Sequence, residues 1–230
     1  MVTSLARKDW DRYVVHAEEI ARGAGFCALR DRIVALADPR EDDVVVDVGS
    51  GTGLLALALA PRVAHIWALD ISPAMTEYLR VKAASAGATN LHAATAPATS
   101  LPLVDGSADV LVSNYCFHHL DDADKERALA EAVRVLRPGG RLVVGDMMFR
   151  IGVANGRDRE VIATKVRAML RRGPAGVLRL AKNGARLATG RWEQPADARW
   201  WELALRSAGF QDVRVEVLEH EGGIAWARRP

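Results

Sequence analysis

Short apolar runs alternate along this chain with segments of helical spacing. An apolar, β-branched run at 44–48 predicts a buried strand, and glycines separate it from a helix start at 54–60. Further strands are predicted at 65–69, 91–93, 109–113 and 141–145, and helices at 72–86 and 123–136. Strands that alternate with helices are typical of an α/β fold, in which helices cover both faces of a mostly parallel sheet.

The two ends of the chain depart from this alternation. Residues 1–40 predict an N-terminal helical cap, and residues 150–195 predict a helical insertion or lid. One helix and two strands are predicted after the insertion, at 197–208, 213–218 and 224–227. Turn-prone residues between these two strands favour antiparallel pairing. We therefore expect one domain over residues 1–230, in which the insertion interrupts the α/β pattern.

Composition excludes several classes of protein. Half of the 230 residues are hydrophobic, 26% are charged and the mean hydropathy is -0.01, which supports a sizeable core. The longest apolar run, 54–60, is far shorter than the about 20 residues of a transmembrane helix. Residues 1–10 lack the apolar stretch of a secretory signal, and two cysteines cannot form a disulfide framework. We expect a cytoplasmic protein; no pattern indicates its oligomeric state.

The net charge of +2 conceals a strongly basic segment. Residues 150–191 contain nine Arg and two Lys against two acidic residues, a local charge of +9 that leaves -7 elsewhere. On a predicted helix at 177–187, Arg179, Lys182 and Arg186 share one side. A separate apolar arc of that helix contains Val177, Leu178, Ala181 and Ala185.

A second predicted helix, at 160–172, also has an apolar side with basic flanks, and Trp192 follows nearby. Such faces favour peripheral contact with an anionic membrane, where each basic residue contributes about 1 kcal/mol. The alternative is a lid whose apolar faces pack on the sheet, so that the basic groups remain in solvent.

Glycines follow the first predicted strand in the pattern of a ligand-binding turn. Gly49, Gly51 and Gly53 permit positive φ angles and let a ligand approach the backbone at the carboxyl edge of the sheet. A dinucleotide fingerprint requires its third glycine at the position of Leu54, one residue later than Gly53. A phosphate-binding P-loop requires Lys followed by Ser or Thr, which this turn lacks. Both phosphate interpretations are therefore disfavoured.

Acidic residues flank the same turn. Asp47 lies in the strand before it, and Asp70 ends the next strand, where a carboxylate accepts hydrogen bonds from the hydroxyls of an unphosphorylated ribose. Asp70 also fits a local role, because Ser72 and Pro73 behind it form a good helix start. An acidic site of this kind favours a cationic adenosine ligand, and S-adenosylmethionine is such a ligand.

At this point the sequence resembles the class I S-adenosylmethionine-dependent methyltransferases, and more closely their ubiquinone and menaquinone biosynthesis branch. The resemblance covers residues 40–150 through VDVGSGTG at 46–53, LDIS at 69–72, LPLVDGSADVLVSN at 101–114, FHHL at 117–120 and LRPGGRLVVGD at 136–146. It implies a Rossmann-like, seven-stranded, mostly parallel sheet in the order 3-2-1-4-5-7-6. GGIAWA at 222–227 is similar to the last strand of the family.

The resemblance implies a site for S-adenosylmethionine and its product S-adenosylhomocysteine. Twelve residues match positions that contact the cofactor: Asp47, Gly49, Ser50, Gly51, Gly53, Asp70, Ile71, Met75, Ala96, Pro97, Ala98 and Asn114. The turn and Asp47 would hold the methionine part, with Asn114 beside it, and Asp70 would bind the ribose. Ile71 and Met75 would contact adenine, although Met75 equally fits an ordinary core position. Pro97 replaces the usual acidic residue, so backbone groups at 96–98 would substitute for it.

Methyl transfer from a sulfonium requires mainly binding, exclusion of water and alignment. A base that removes a proton from the acceptor adds about 10²- to 10⁴-fold, and His118 or His119 is the candidate at the end of the fourth strand. The alternative is that these histidines bond to backbone near the cofactor. An adjacent pair offers too few ligands for a metal, so we predict none.

The acceptor is predicted to be a small, lipophilic or aromatic molecule such as a quinol, phenol or lipid. Trp10, Tyr13, His16, the turn at 115–117 and the strand exit at 146–150 are the candidate acceptor segments. One alternative is a non-catalytic protein that binds the cofactor. Another is a nucleic-acid methyltransferase that uses the basic insertion. The amino-methylating Asn/Asp-Pro-Pro-Tyr/Phe motif is absent after Asn114, which argues against a nucleic-acid acceptor of that kind.

Overall fold

The structure is a computed structural model that describes residues 9–149, 156–188, 193–218 and 221–230. The described strands form one seven-stranded sheet: β1 Val44–Val48, β2 His65–Asp70, β3 Leu91–Thr95, β4 Ala108–Asn114, β5 Leu136–Met147, β6 Gln211–Val217 and β7 Gly222–Arg228. Their order is β3-β2-β1-β4-β5-β7-β6. β7 is antiparallel to both neighbours and the remaining pairs are parallel. The predicted fold class and strand order are confirmed.

Helices lie on both faces of this sheet. They are α1 Val14–Ala21, α2 Ala24–Ala37, α3 Ala56–Leu59, α4 Pro73–Ser85, α5 Asp122–Val135, α6 Gly156–Leu170, α7 Pro174–Ala188 and α8 Ala198–Ser207. Three short 3₁₀ helices span Trp10–Tyr13, Ala60–Arg62 and Phe117–His119. One apolar cluster joins β1 to α2, α3 and α4, and a second joins β4 and β5 to α5 and α8. The sheet is therefore buried from both sides, as its apolar strands require.

Local capping explains where several helices begin. The Ser72 hydroxyl accepts a hydrogen bond from Met75 N at 3.1 Å, and Pro73 occupies the first turn of α4. The carboxylates of Asp121 and Asp197 likewise accept from backbone N–H groups at the starts of α5 and α8. The caps at Ser72 and Asp121 lie in the connections that follow β2 and β4, so they also fix the geometry of the sheet edge.

β5 is longer than predicted. The sequence predicts a strand at 141–145 because Pro138, Gly139 and Gly140 separate it from the preceding helix. α5 does end at Val135, but the strand begins at Leu136, which pairs with Ala108 before the register shifts. Gly139 has φ +78°, so the chain passes through the glycines as an irregular part of the strand.

The basic insertion contains the two predicted helices, which pack against each other as α6 and α7. Lys165 of α6 forms an ion pair with Glu221 at 3.0 Å. Among the described residues of α6 and α7, three large apolar side chains remain 51–59% exposed: Leu170, Val177 and Leu178. Trp192 and the side chains of Ala185 and Arg186 lie outside the described part of the chain. None of the helices in the described ranges has the length and apolar character that a bilayer span requires.

Candidate functional site

The carboxyl ends of the parallel strands bring most of the predicted site residues to one edge of the sheet. Asp47 lies in β1, Asp70 ends β2 and Asn114 ends β4, and these strands are neighbours or next neighbours in the sheet. Loops that follow parallel strands meet at this edge, which is where ligands bind in open α/β sheets. The predicted grouping of the glycine turn, Asp70 and Asn114 is therefore seen in the structure.

The glycine turn is open to a ligand at Gly51. Gly49, Gly51 and Gly53 have φ angles of +72°, +50° and +90°, which supports the expectation that glycine is required. A Cβ built on Gly51 meets no atom within 4 Å, whereas one on Gly53 would lie 2.3 Å from Leu79 Cδ1. Gly53 thus allows α4 to pack close to the turn, while Gly51 borders open space.

The backbone of this turn is held by the next strand. Gly49 N and Ser50 N both donate to the carbonyl of Leu69, at 2.7 and 3.0 Å. Gly51 N donates to Asp70 Oδ2 at 2.8 Å. These N–H groups already have acceptors in the protein, so the open space beside Gly51 and the Ser50 hydroxyl are what the turn offers to a ligand.

Asp70 combines the two roles that the sequence leaves open. Its Oδ2 accepts from Gly51 N, and its Oδ1 accepts from Ser72 N at 2.9 Å, so the carboxylate ties the turn to the start of α4. Burial raises the pKa of Asp70, and its backbone donors oppose this shift. Each carboxylate oxygen can accept more than one hydrogen bond, so these contacts leave capacity for ribose hydroxyls.

Asp47 is a buried carboxyl group beneath the turn. Its Oδ2 accepts from Ala56 N at 3.0 Å, and its side chain is shielded from solvent. Burial raises the pKa of Asp47 to about 7, against the effect of the Ala56 hydrogen bond and together with the charge of Asp70. Two carboxyl groups with raised pKa values make this part of the site complementary to a cation.

Two buried polar atoms at the site lack partners. Ser50 Oγ and Asn114 Oδ1 are shielded from solvent and have no hydrogen-bond partner within the described residues. A buried polar atom without a partner costs about 1–3 kcal/mol, and native proteins contain few of them. Both atoms belong to residues that the sequence assigns to the methionine part of the cofactor, so a polar ligand there would satisfy them.

The predicted adenine contacts lie beyond Asp70. Ile71 is 42% exposed, and Met75 is buried but belongs to neither large apolar cluster. Ala96 N donates to the carbonyl of Asp70 at 2.8 Å, so its N–H is already used and a ligand would have to contact its carbonyl. Pro97 is exposed and Ala98 is half-buried at the same edge. The segment 96–98 thus borders the site.

A strained turn connects β4 to the two histidines. Tyr115 has φ +53°, a left-handed conformation that L residues rarely adopt and that occurs often at functional sites. Its ring packs on Phe26, with a centroid distance of 4.8 Å. Cys116 follows, and a Cβ on Gly49 would lie 2.4 Å from its Sγ, so the thiol covers the glycine turn. Burial and nearby carboxylates raise the pKa of Cys116, which disfavours a nucleophilic role.

His118 forms a buried pair with Asp146. Nδ1 of His118 lies 2.5 Å from Asp146 Oδ1, and because an ionised carboxylate can only accept, Nδ1–H is the donor of this hydrogen bond. The backbone N of His118 donates to Asp146 Oδ2 at 2.9 Å, and Met147 N donates to Oδ1 at 2.7 Å. This arrangement fixes the ring and leaves the lone pair of neutral His118 on Nε2.

His119 lies between His118 and the N-terminal segment. The two histidine rings are 3.8 Å apart, and the Trp10 ring is 4.6 Å from that of His119. Tyr13 packs beside Trp10 at 6.0 Å. Two of the predicted acceptor residues thus lie near the histidines, whereas His16 is exposed beside Glu19 on the outer side of α1.

Polar contacts fasten this N-terminal segment to α4 beside the site. Asp11 Oδ1 accepts from the Ser72 hydroxyl at 2.5 Å and from Ala74 N at 3.2 Å. Lys82 donates to Glu18 Oε2 at 2.8 Å and to the carbonyl of Thr52 at 3.2 Å. The segment at 10–21 therefore rests on α4 and on the end of the glycine turn.

Sequence reasoning includes Asp146 only as part of the strand exit at 146–150, and it does not place Asp11 or Glu193 at the site. The sequence gives a reason to place Asp146 at the site, because it lies near the end of a predicted strand whose neighbour carries Asn114. It gives no such reason for Asp11 or Glu193, since each lies in a polar stretch and is brought to the site only by the fold. Glu193 is half-buried beside the histidines, and Gln194 N donates to the carbonyl of His118 at 2.7 Å.

Comparisons with known proteins agree with this geometry. Residues 45–140 match a family described as a methyltransferase domain. An uncharacterised methyltransferase of Geobacillus kaustophilus is 32% identical over 145 residues, which cover 62% of this chain and 64% of that protein. The demethylmenaquinone methyltransferase of Thermus thermophilus is 39% identical over 117 residues, or 50% of this chain and 52% of that protein.

The similarity in fold covers more of the chain than the similarity in sequence. The structure of Haemonchus contortus phosphoethanolamine N-methyltransferase 2 in complex with S-adenosyl-L-methionine superposes with a TM-score of 0.73 at 16% identity. That match covers 100% of this chain and 60% of the other. The chain spans less than two thirds of the length of the curated relatives described above. The similarity in sequence is thus concentrated in the part that carries the glycine turn and β4.

Proposed function

Because the chain belongs, through its domain at 45–140, to the class I S-adenosylmethionine-dependent methyltransferases, we propose that it transfers a methyl group to a small lipophilic or aromatic acceptor. S-adenosylmethionine supplies a methyl group that is electrophilic because its sulfur is positively charged. The residues of this chain have to bind both molecules, align them and exclude water. The acceptor gains the methyl group, and S-adenosylhomocysteine is the product.

Unsatisfied groups at the glycine turn carry this proposal. Ser50 Oγ and Asn114 Oδ1 are buried without partners in the described structure, and Asp47 and Asp70 are buried carboxyl groups with raised pKa values. A ligand with an ammonium group, a sulfonium and ribose hydroxyls supplies the donors and positive charge that these groups lack. The open space beside Gly51 gives such a ligand access to the backbone.

Proton removal from the acceptor is assigned to the His118–Asp146 pair. Asp146 holds Nδ1–H of His118, so that Nε2 can accept a proton from a hydroxyl or an activated carbon. The carboxylate then stabilises the imidazolium that forms. His119, whose ring lies 3.8 Å away, is the alternative proton acceptor.

Aromatic residues around the histidines support a lipophilic acceptor. Trp10 and Tyr13 approach from the N-terminal segment, and Tyr115 with Phe26 approaches from the sheet edge. All four side chains are half-buried, as expected for residues that border a ligand. The similarity to a demethylmenaquinone methyltransferase makes quinols the first acceptors to screen.

A peripheral membrane location suits an acceptor of this kind. Arg179 and Lys182 are exposed on α7 together with Val177 and Leu178, which combines positive charge with apolar surface. We therefore propose a cytoplasmic enzyme that contacts anionic membranes through the hairpin α6–α7. Free access to a membrane-dissolved acceptor would follow from such contact.

Titration calorimetry with S-adenosylmethionine and S-adenosylhomocysteine tests the proposal directly. We expect both to bind the wild-type chain, and Asp70→Ala to weaken binding more than tenfold, because each hydrogen bond to a charged acceptor contributes about 1.5–3 kcal/mol. Asp70→Asn keeps the size of the side chain but only one of the two acceptor oxygens, so it should also weaken binding, and the exposed Asp31→Ala is a control. Absence of binding at millimolar ligand would refute the assignment.

A screen of labelled cofactor with quinols, phenols, phospholipids and RNA first identifies the acceptor. Single-turnover methyl transfer to that acceptor then measures the role of the histidines. We expect His118→Ala to slow the chemical step by about 10²- to 10⁴-fold without loss of cofactor binding. Wild-type rates in both His118→Ala and His119→Ala would show that alignment alone suffices. Cofactor binding without transfer to any acceptor would instead indicate a non-catalytic binding protein.

A further inference from the structure

Two histidines and a carboxylate from distant parts of the chain converge next to the end of β4. His118, His119 and Glu193 each offer one possible ligand atom, and all three atoms lie within 4.8 Å of one another. His118 is buried and the other two are half-buried. The proposed methyl transfer gives Glu193 no role, so its position beside two imidazoles calls for a separate explanation.

The backbone that directly follows Glu193 holds this residue beside the histidines. Gln194 N, the next residue, donates to the carbonyl of His118 at 2.7 Å. Ala196 is buried, and Asp197 caps α8 by accepting from Trp200 N at 2.8 Å. The residues that directly follow Glu193 are therefore anchored to the histidine turn and to the start of α8.

Asp146 prepares His118 as a ligand. A histidine that binds a metal almost always donates its other ring N–H to a carboxylate or carbonyl, which fixes the tautomer and increases the basicity of the ligating nitrogen. His118 Nδ1 makes this contact with Asp146 Oδ1 at 2.5 Å. Nε2 is consequently the nitrogen available to an ion, and the ring cannot turn without breaking a buried hydrogen bond.

We propose that His118, His119 and Glu193 bind one divalent transition-metal ion of the zinc type. Two imidazoles and one carboxylate form a recognised set of zinc ligands, and imidazole nitrogens favour zinc, copper or nickel over magnesium or calcium. Ligand atoms around tetrahedral zinc lie about 3.3 Å apart, so small rotations of the His119 and Glu193 side chains bring atoms within 4.8 Å into range while His118 stays fixed. Asp146 behind His118 adds a second carboxylate that complements the positive ion.

This site changes the expectation derived from sequence, which considered only the adjacent histidines. Glu193 supplies the third ligand, and three protein ligands leave a fourth position for water or an acceptor oxygen. The ion uses Nε2 of His118, the nitrogen that proton removal requires, so the two uses exclude each other at any one moment. Binding of the ion depends on the cluster alone and does not rest on the proposed methyl transfer.

Calorimetry of the chelator-treated full chain with zinc chloride, followed by cobalt spectroscopy, tests the inference. We expect one ion per chain, and a tenfold or greater loss of affinity in Glu193→Gln and in His119→Ala. Asp146→Asn should weaken binding by about 10- to 100-fold, as the removal of an orienting carboxylate does in metal sites. The cobalt-loaded chain should show the visible absorption of a four- or five-coordinate ion.

Two controls separate this site from adventitious binding. His16 and Glu19 form an exposed His–Glu pair 3.8 Å apart, and His16→Ala should leave zinc affinity unchanged. A thiolate-to-cobalt absorption band would place the ion on Cys27 or Cys116 and overturn the inference. So would equal zinc affinity in wild type, Glu193→Gln and His119→Ala, or absence of binding at submillimolar zinc. An unchanged melting temperature in Glu193→Gln would show that the variant loses zinc affinity without losing its fold. Unchanged S-adenosylmethionine binding in the same variant would show that zinc binding and cofactor binding are separate properties.

Discussion

Asp47 illustrates how the burial of a single carboxyl group makes the stability of the protein depend on pH. Its pKa is raised from 3.8 to about 7 by burial. Between pH 4 and 7 the folded protein holds a proton on Asp47 that the unfolded chain has lost. The free energy of unfolding therefore falls as pH rises through this window, and the full cost of the buried charge is present above pH 7.

Asp47→Asn should therefore stabilise the free protein at pH 8. We expect a gain on the order of 2 kcal/mol, because one pKa unit corresponds to about 1.4 kcal/mol and part of the gain is offset by a weaker bond to Ala56 N. The gain should shrink as pH falls from 7 towards 4, where wild-type Asp47 becomes neutral. Thermal melting across this range measures it.

The same variant should bind S-adenosylmethionine more weakly, since the carboxylate that complements the cationic ligand is gone. Asp31→Asn makes the same chemical change at an exposed side chain and should alter neither property. If Asp47→Asn is less stable than wild type at pH 8, the hydrogen bond of the carboxylate outweighs the cost of its burial, and the prediction is wrong.

At the scale of residues, the sequence predicts positions but not pairings. Asp70 and Asn114 can be assigned to the site because each ends a strand, and strand ends share one edge of the sheet. The bond between His118 and Asp146 is not predictable in the same way, because a carboxylate near the end of β5 reaches the histidine only after β4 and β5 have paired. Glu193 lies in an irregular segment without periodicity, so no pattern places it.

The glycine turn allows fold and function to be separated at the scale of an element. Gly51→Ala introduces a Cβ into open space at φ +50°, so its cost to stability is only the left-handed strain of about 1–2 kcal/mol. That same Cβ occupies the space proposed for the ligand. We expect more than a tenfold loss of S-adenosylmethionine affinity, measured by calorimetry, with a small decrease in melting temperature.

Gly87 provides the matched control for this prediction. It has φ +69° and open space around a built Cβ, but it precedes β3 and so lies at the opposite edge of the sheet. Gly87→Ala should lower the melting temperature to a similar extent and leave ligand affinity intact. Equal ligand affinity in the two variants would mean that the turn at Gly51 does not border the bound cofactor.

Strands that lie in the middle of the sheet are the elements that the sequence predicts best. β1 spans Val44–Val48 as predicted, because a valine-rich run that only Asp47 interrupts, ended by glycine, leaves few alternatives. β5 differs at its start, since Leu136 finds a backbone partner in Ala108 that only the folded sheet supplies. The predicted helix at 54–60 shortens to Ala56–Leu59, because the glycine turn extends into its first residues.

At the scale of the molecule, the basic hairpin contrasts with the acidic residues at the glycine turn. Arg167, Arg171 and Arg172 are exposed at the end of α6 and the turn after it, and Arg179 and Lys182 are exposed on α7. Leu170, Val177 and Leu178 lie among them and are 51–59% exposed. A lid packed on the sheet through these apolar residues would bury them, so their exposure favours an external partner.

Membrane contact through this hairpin should be salt-sensitive. An Arg or Lys near an anionic surface contributes about 1 kcal/mol, so Arg179→Glu combined with Lys182→Glu should lower binding to phosphatidylserine vesicles by more than tenfold in sedimentation. Raising the salt concentration should release the wild type, because the surface potential falls off within the Debye length. Arg80→Glu with Arg127→Glu makes the same change in net charge on α4 and α5 and should leave binding nearly unchanged. Equal pelleting on neutral and anionic vesicles would eliminate the hairpin as a membrane contact, and so would equal effects of the two double variants. Binding of RNA in place of vesicles would assign the positive charge of the hairpin to a nucleic-acid partner.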